Sequence, residues 1–161
     1  MEVRRLRPDE WPAYRELRLR ALADAPDAFG ATYADEAAFS DEKWQERAGA
    51  PDRAVFVVDG PDGLVAMAVG GSAPMDPHVG ALYGMWVAPS ARRQGLGKAL
   101  IAAVKAWAIE SGYPALGLGV TTTNGPAIAL YESLGFVDGG DRHRLRDDTD
   151  LVIQVMGMPL T

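Results

Sequence analysis

The part of this chain best suited to chemistry is residues 88–98, APSARRQGLGK. It sets Gly95 and Gly97 beside the cations Arg92, Arg93 and Lys98, and an apolar helical pattern starts at Leu96. The first turn of a helix leaves backbone N–H groups without intrahelical partners, and the aligned peptide dipoles add partial positive charge there. Glycine lets a ligand approach that backbone closely. Such a loop suits a phosphate or pyrophosphate. Two nucleotide-binding patterns fail on spacing. G-x-x-x-x-G-K-[ST] needs a hydroxyl where Ala99 stands and a glycine where Arg92 stands, and G-x-G-x-x-G needs a glycine where Leu100 stands. The plain alternative is a strand-to-helix connection with solvated basic residues.

Elements on both sides must position this loop. Residues 79–87 read as a strand ended by Pro89, and Leu96, Leu100, Ala103 and Trp107 mark the apolar row of a helix over 96–110. Gly112 and Pro114 stop that helix. A strand follows over 115–121, with Leu116, Leu118 and Val120 on one face and Gly117 and Gly119 leaving the other nearly bare. Asn124-Gly125-Pro126 opens a short helix that ends at Gly135. Upstream, Val3 to Arg7 form a short strand. Asp9 caps a helix whose apolar face is Trp11, Tyr14, Leu17 and Ala21, with Arg15, Arg18 and Arg20 off that face. A second helical stretch runs over 35–48, broken by an N-cap at Ser40. Strands at 54–59 and 64–72 make a hairpin around Gly60-Pro61-Asp62-Gly63. After Phe136-Val137 begins another strand, 139–150 reads as a polar loop and 151–158 as the last strand. This order predicts a mixed α/β (α+β) fold: a central, mostly antiparallel sheet of six to seven strands flanked by about four helices.

The chain has 161 residues, 48% of them apolar, and is read as one domain over 1–161. A formal net charge of −6 disfavours nucleic acid or an anionic membrane as partner. With no cysteine, thiol catalysis and disulfides are excluded, only His78 and His143 offer imidazole chemistry, and no metal is expected. No apolar run reaches a membrane span of about 20 residues, and the N-terminus lacks a signal peptide's apolar core, so a cytoplasmic location is expected.

R-x-x-G-x-G, with Arg92, Gly95 and Gly97 in place, resembles the acetyl-CoA signature of the GNAT superfamily of N-acetyltransferases. Two further stretches extend the resemblance. ALYGMWVAP (81–89) is similar to that family's fourth strand, and NGPAIALYESLGF (124–136) to its N-x-x-A-x-x-L-Y-E-x-L-G-F element. RELRLRALADAPDAFGATY (15–33) is similar to the opening helix and loop of many bacterial members.

The resemblance implies acetyl-CoA as cosubstrate. Its pyrophosphate would lie on the backbone of Arg92, Arg93, Gln94, Gly95, Leu96, Gly97 and Lys98. Its pantetheine would enter a gap between two splayed strands and pair with the backbone of Met85, Trp86 and Val87. Leu82, Met85 and Val87 break strict alternation, as a bulge between 82 and 85 would. The resemblance also makes an N–H of Trp86 or Val87 the oxyanion donor and Tyr131 the general acid at the sulfur. It places Asn124 by the cofactor, where it can also cap its helix. Many members carry an acidic residue around the position of Ala81, so the base is left open among Glu36, Tyr83, His78 and a water chain. Residues 29–46 and 142–148 would border the acceptor, a primary amine of a small molecule or peptide. A homodimer is compatible with the resemblance. The competing functions are a non-catalytic acyl-CoA-binding or regulatory module of the same fold, and an unrelated phosphate-binding domain.

Overall fold

A computed structural model describes residues 1–160 of the chain. In chain order the elements are β1 (Val3–Arg5), α1 (Trp11–Asp24), α2 (Tyr33–Ala37), α3 (Asp41–Gly49), β2 (Ala54–Gly60), β3 (Gly63–Ser72), β4 (Gly80–Val87), α4 (Leu96–Glu110), β5 (Ala115–Thr121), α5 (Gly125–Ser133), β6 (Val137–Arg144) and β7 (Val152–Pro159). The strands make one seven-stranded sheet in the order β1-β2-β3-β4-β5-β7-β6. Every neighbouring pair is antiparallel except β4 and β5. No helix among the described residues is long and apolar enough to cross a membrane.

β3 is buried from Leu64 to Gly71 without alternation, a pattern that needs both faces of the strand covered. Both α1 and α4 pack on it, with Trp107 of α4 resting on Gly70. Leu96, Leu100, Ile101, Val104 and Ala108 are the buried residues of α4, at the three- and four-residue spacing of one helical face. Tyr14 of α1 meets Trp44 of α3 edge-on, with ring centroids 6.0 Å apart. Thr32 and Ser40 cap α2 and α3 by accepting from the Asp35 and Lys43 amides, each at 3.2 Å.

Three expectations need correction. Asp9 does not cap α1; it lies in a 3-10 turn, Pro8–Glu10, that leads into the helix. The helical stretch over 35–48 is broken at Ser40 as expected, but its first piece opens at Tyr33 and not at Asp35, because Thr32 supplies its cap. Much of the supposed polar loop over 139–150 is strand, since β6 runs on to Arg144. Every residue of β6 is exposed, so it lacks the buried alternation by which a strand is recognised.

The β4–β5 pair positions the site. Only Gly80 with Leu116 and Ala81 with Gly117 are in register; beyond them the two strands separate. On its other side β4 pairs Tyr83 with Val69 and Trp86 with Met67, so β4 holds one residue more than β3 over that interval. This is the bulge the broken alternation predicts, and it turns at Gly84, whose φ of +55° favours glycine.

Candidate active site

Where β4 and β5 part, a slot of about 150 Å³ opens. Residues 82–85 of β4 and 118–121 of β5 form its long walls, Asn124, Ala127 and Tyr131 close it from α5, and Ala28 and Phe29 border it from the loop after α1. Ala127 and Tyr131 are four positions apart, so they share one face of α5.

The glycine-bearing loop leads into α4 beside this slot. The backbone N–H groups of residues 93–98 have no hydrogen-bond partner among the described residues. Gly95, at φ +77°, and Arg93, at φ +65°, hold the left-handed turns that shape this stretch. Gly97 lies near the slot: a Cβ there would stand 3.9 Å from Met85 Cε. Arg93, Gln94 and Lys98 are exposed, whereas Leu96 is buried in the core and offers only its amide.

Arg92 does not act as a cation pointed at the loop. Its Nε donates to the Val87 carbonyl at 2.9 Å and its Nη2 to Asp24 Oδ2 at 3.0 Å. Trp86 Nε1 donates to the same Asp24 oxygen at 3.0 Å. The Arg92 side chain is therefore a strut between the loop and the end of α1. The Trp86 ring and the Val87 carbonyl belong to the same brace, so of Met85, Trp86 and Val87 only Met85 lines the slot.

Tyr131 is 7% exposed and its ring meets Phe136 edge-on at 5.9 Å. Burial pushes its phenol up to about 12, with no neighbouring charge contributing. The hydroxyl therefore keeps its proton at neutral pH. Asn124 caps α5, its Oδ1 accepting from the Ala127 amide at 3.3 Å, and it also lines the slot.

Of the three ionisable residues put forward as base, Glu36 and His78 lie outside the slot and Tyr83 has its hydroxyl engaged. Glu36 is 1% exposed and does not line the slot. Its carboxylate is held by Arg18 Nε at 2.9 Å and Arg47 Nη1 at 3.1 Å. Burial works to raise its pKa, but the hydrogen bonds and charges of the two arginines outweigh that and lower it, which leaves a poor proton acceptor. The Tyr83 hydroxyl donates to the Ser72 carbonyl, and burial raises its pKa, so the phenolate a base would need is disfavoured. His78 is exposed at the start of β4 and does not line the slot. Among the described residues that line the slot there is no carboxylate and no imidazole.

Several residues at the site were not singled out individually by the sequence. Thr121 lines the slot, as does Phe29, which falls in the segment expected to border the acceptor. Arg146 Nη1 donates to the Pro26 and Phe29 carbonyls at 3.0 and 2.6 Å, tying the segment after β6 to the loop after α1. Asp24 anchors the Arg92 brace. The spacing of α1 put Arg18 off the apolar face, but nothing in the sequence tied it to Glu36 or to the slot.

Free amides at a helix start, two strands parted along a slot, and a protonated phenol inside it make a site for an extended, phosphate-bearing ligand with chemistry at its far end. Comparison with known proteins agrees with that class. The chain belongs to the acetyltransferase (GNAT) family, whose family model matches residues 4–136. It is 37% identical over 131 residues to a mycothiol acetyltransferase of Salinispora arenicola, an alignment covering 80% of this chain and 40% of that protein. It is 41% identical over 69 residues to the [ribosomal protein bS18]-alanine N-acetyltransferase of Escherichia coli, covering 43% of this chain and 47% of that one. The chain thus spans about 40% of the length of the mycothiol acetyltransferases it matches. A GNAT-family acetyltransferase from Streptococcus pneumoniae shares the fold, with a TM-score of 0.79 at 20% identity over 99% of this chain and 98% of that one.

Proposed function

We propose that this protein transfers an acetyl group from acetyl-CoA to a primary amine of a small molecule or peptide, by direct attack of the amine on the thioester. The observation that carries this reading is the buried, uncharged Tyr131 facing the slot between the parted strands. The residues fit the cosubstrate. The amides of residues 93–98 suit a pyrophosphate. Beyond Ala81 the β5-facing edge of β4 has no ladder partner, which suits the amides of a pantetheine arm.

The neutral amine attacks the carbonyl carbon, the C–N bond forms and the C–S bond breaks. A backbone N–H at the β4 bulge stabilises the oxyanion. Tyr131 donates its hydroxyl proton to the departing thiolate, and the proton shed by the acylated amine returns to the phenolate or passes to water. Family membership supports acetyl transfer, and the named relatives include an enzyme of alanine N-acetylation. The alternative, a non-catalytic acyl-CoA-binding module, leaves the free phenol in the slot without a task.

The test is a panel of amines with acetyl-CoA, read by release of the free CoA thiol. At least one amine should release CoA faster than acetyl-CoA hydrolyses alone. Acetyl-CoA binding without CoA release on any amine class would make the chain a binding module, and failure to bind acetyl-CoA would overturn the assignment of the slot.

A further inference from the structure

Behind two walls of the slot, and not itself lining it, stands a guanidinium whose bonding is incomplete. Arg18 Nε and Nη2 donate to the two Glu36 carboxylate oxygens at 2.9 and 3.3 Å. The guanidinium stacks on the Phe29 ring at 4.8 Å from its centroid. Nη1 lies against the bare Cα of Gly84, so close that a Cβ there would stand 2.8 Å from it. Phe29 and Gly84 both wall the slot. Nη1 has no hydrogen-bond partner among the described residues, so its two N–H donors are available beside the β4 bulge.

Charge balance points the same way. Glu36 is shared between Arg18 and Arg47. Two cations face this one carboxylate, with the Arg18 and Arg47 side chains 12% and 22% exposed. A site built only to neutralise Glu36 would need one arginine. The surplus charge and the free donors call for an oxygen atom.

We infer that Arg18 selects the acceptor, its Nη1 receiving a carbonyl or carboxylate oxygen next to the reacting amine, so that α-aminoacyl acceptors are favoured over simple alkyl amines. Glu36 is then a positioning residue that fixes the guanidinium plane. The inference rests on the acetyl-transfer reading. It agrees with the lack of a base in the slot, because at pH 7 an α-amine with a pKa of about 8 is about one-tenth neutral, whereas an alkyl amine near about 10 is neutral to only about one part in a thousand.

The test compares alaninamide with 3-methyl-2-butylamine, which has the same shape but no carbonyl, each rate being counted on the neutral amine. The wild type should favour alaninamide in kcat/KM by about 10- to 100-fold, the usual worth of a hydrogen bond to a charged group. Arg18→Gln should erase that preference, its loss on alaninamide being about 10- to 100-fold larger than its loss on the alkyl amine, and leave acetyl-CoA affinity little changed. In Arg18→Gln the Glu36 carboxylate keeps Arg47 at 3.1 Å, and a thermal melt of the variant read beside the rates guards against a folding failure. Equal rates on the two amines in the wild type, equal losses on both in the variant, or a parallel loss of acetyl-CoA affinity would overturn the inference. If acetyl-CoA binds and neither amine is acetylated, the amine panel decides the transfer reading, and calorimetry of alaninamide on the CoA complex decides the role of Arg18. Tighter binding to wild type than to Arg18→Gln upholds the role of Arg18, and equal binding overturns it.

Discussion

Arg92 and Asp24 stand 68 positions apart in the chain and 3.0 Å apart in the fold. Their contact joins the loop before α4 to the end of α1, and the Trp86 indole shares the same carboxylate. The arginine of the R-x-x-G-x-G pattern thus braces its loop through Val87 and Asp24. Asp24→Asn and Arg92→Gln should therefore both weaken CoA binding, by up to about fivefold, the scale of an exposed ion pair. Losses should be equal for CoA and dephospho-CoA. Were Arg92 a phosphate ligand, Asp24→Asn would release it and tighten binding. Calorimetry at two salt concentrations separates the outcomes.

The two loop glycines should respond in opposite ways. Gly95 sits at φ +77° with open space around a Cβ, so Gly95→Ala is strained by backbone conformation alone. A penalty of about 1–2 kcal/mol would lower Tm by about 2–8 °C. At Gly97 a Cβ would make ordinary contacts, 3.7 Å to Leu130 and 3.9 Å to Met85. Gly97→Ala should keep or raise Tm, since alanine is the better helix former, yet lose acetyl-CoA affinity. Scanning calorimetry paired with ligand titration reads both.

Tyr131→Phe removes one hydroxyl and leaves the ring contact with Phe136. Turnover should fall on the order of 10²-fold with acetyl-CoA affinity unchanged, the usual worth of a positioned acid. Because burial holds the phenol at about 12, the wild-type rate should show no falling limb between pH 8 and 10 from this group. The variant should lower the plateau without shifting it. A Tyr131→Phe protein of full activity, with chemistry shown to limit turnover, would leave Tyr131 as a packing residue.

Glu36 makes stability depend on acid. Its pKa is lowered in the fold, against its burial, by Arg18 and Arg47. The unfolded chain therefore takes up the proton first as pH falls, and the stabilisation, present at neutral pH, is lost as pH drops through the folded value. Glu36→Gln should cost about 3 kcal/mol at pH 7, because it leaves two guanidiniums without their carboxylate. Its Tm should fall less steeply than that of wild type below pH 5. Thermal melts from pH 3 to 7 test this.

Regular elements with one buried face were legible in the sequence. The helix at Leu96–Glu110 and the strand at Ala115–Thr121 have the bounds that periodicity implies. So does the β4 bulge, because an inserted residue shifts the alternation at Leu82 and Met85. β6 was not legible, since a strand exposed on both faces has no apolar period. Partnerships between distant residues were not legible either. The charge of Arg92 suggests a phosphate until Asp24 is seen beside it. Glu36, in a segment expected to border the acceptor, is a plausible base until Arg18 and Arg47 are seen to enclose it.

The parting of β4 and β5 also bears on self-association. The sheet is in effect two panels, β1 to β4 and β5 to β6, hinged at two residue pairs. Each panel shows the other a frayed strand edge, the feature by which sheets recruit foreign strands and aggregate. Here the two edges lie inside the molecule, partly screened by Phe29 and by Tyr131 of α5. A flat sheet edge would have to break that enclosure to dock, whereas a thin, amide-bearing chain can slide between the panels and stitch them together.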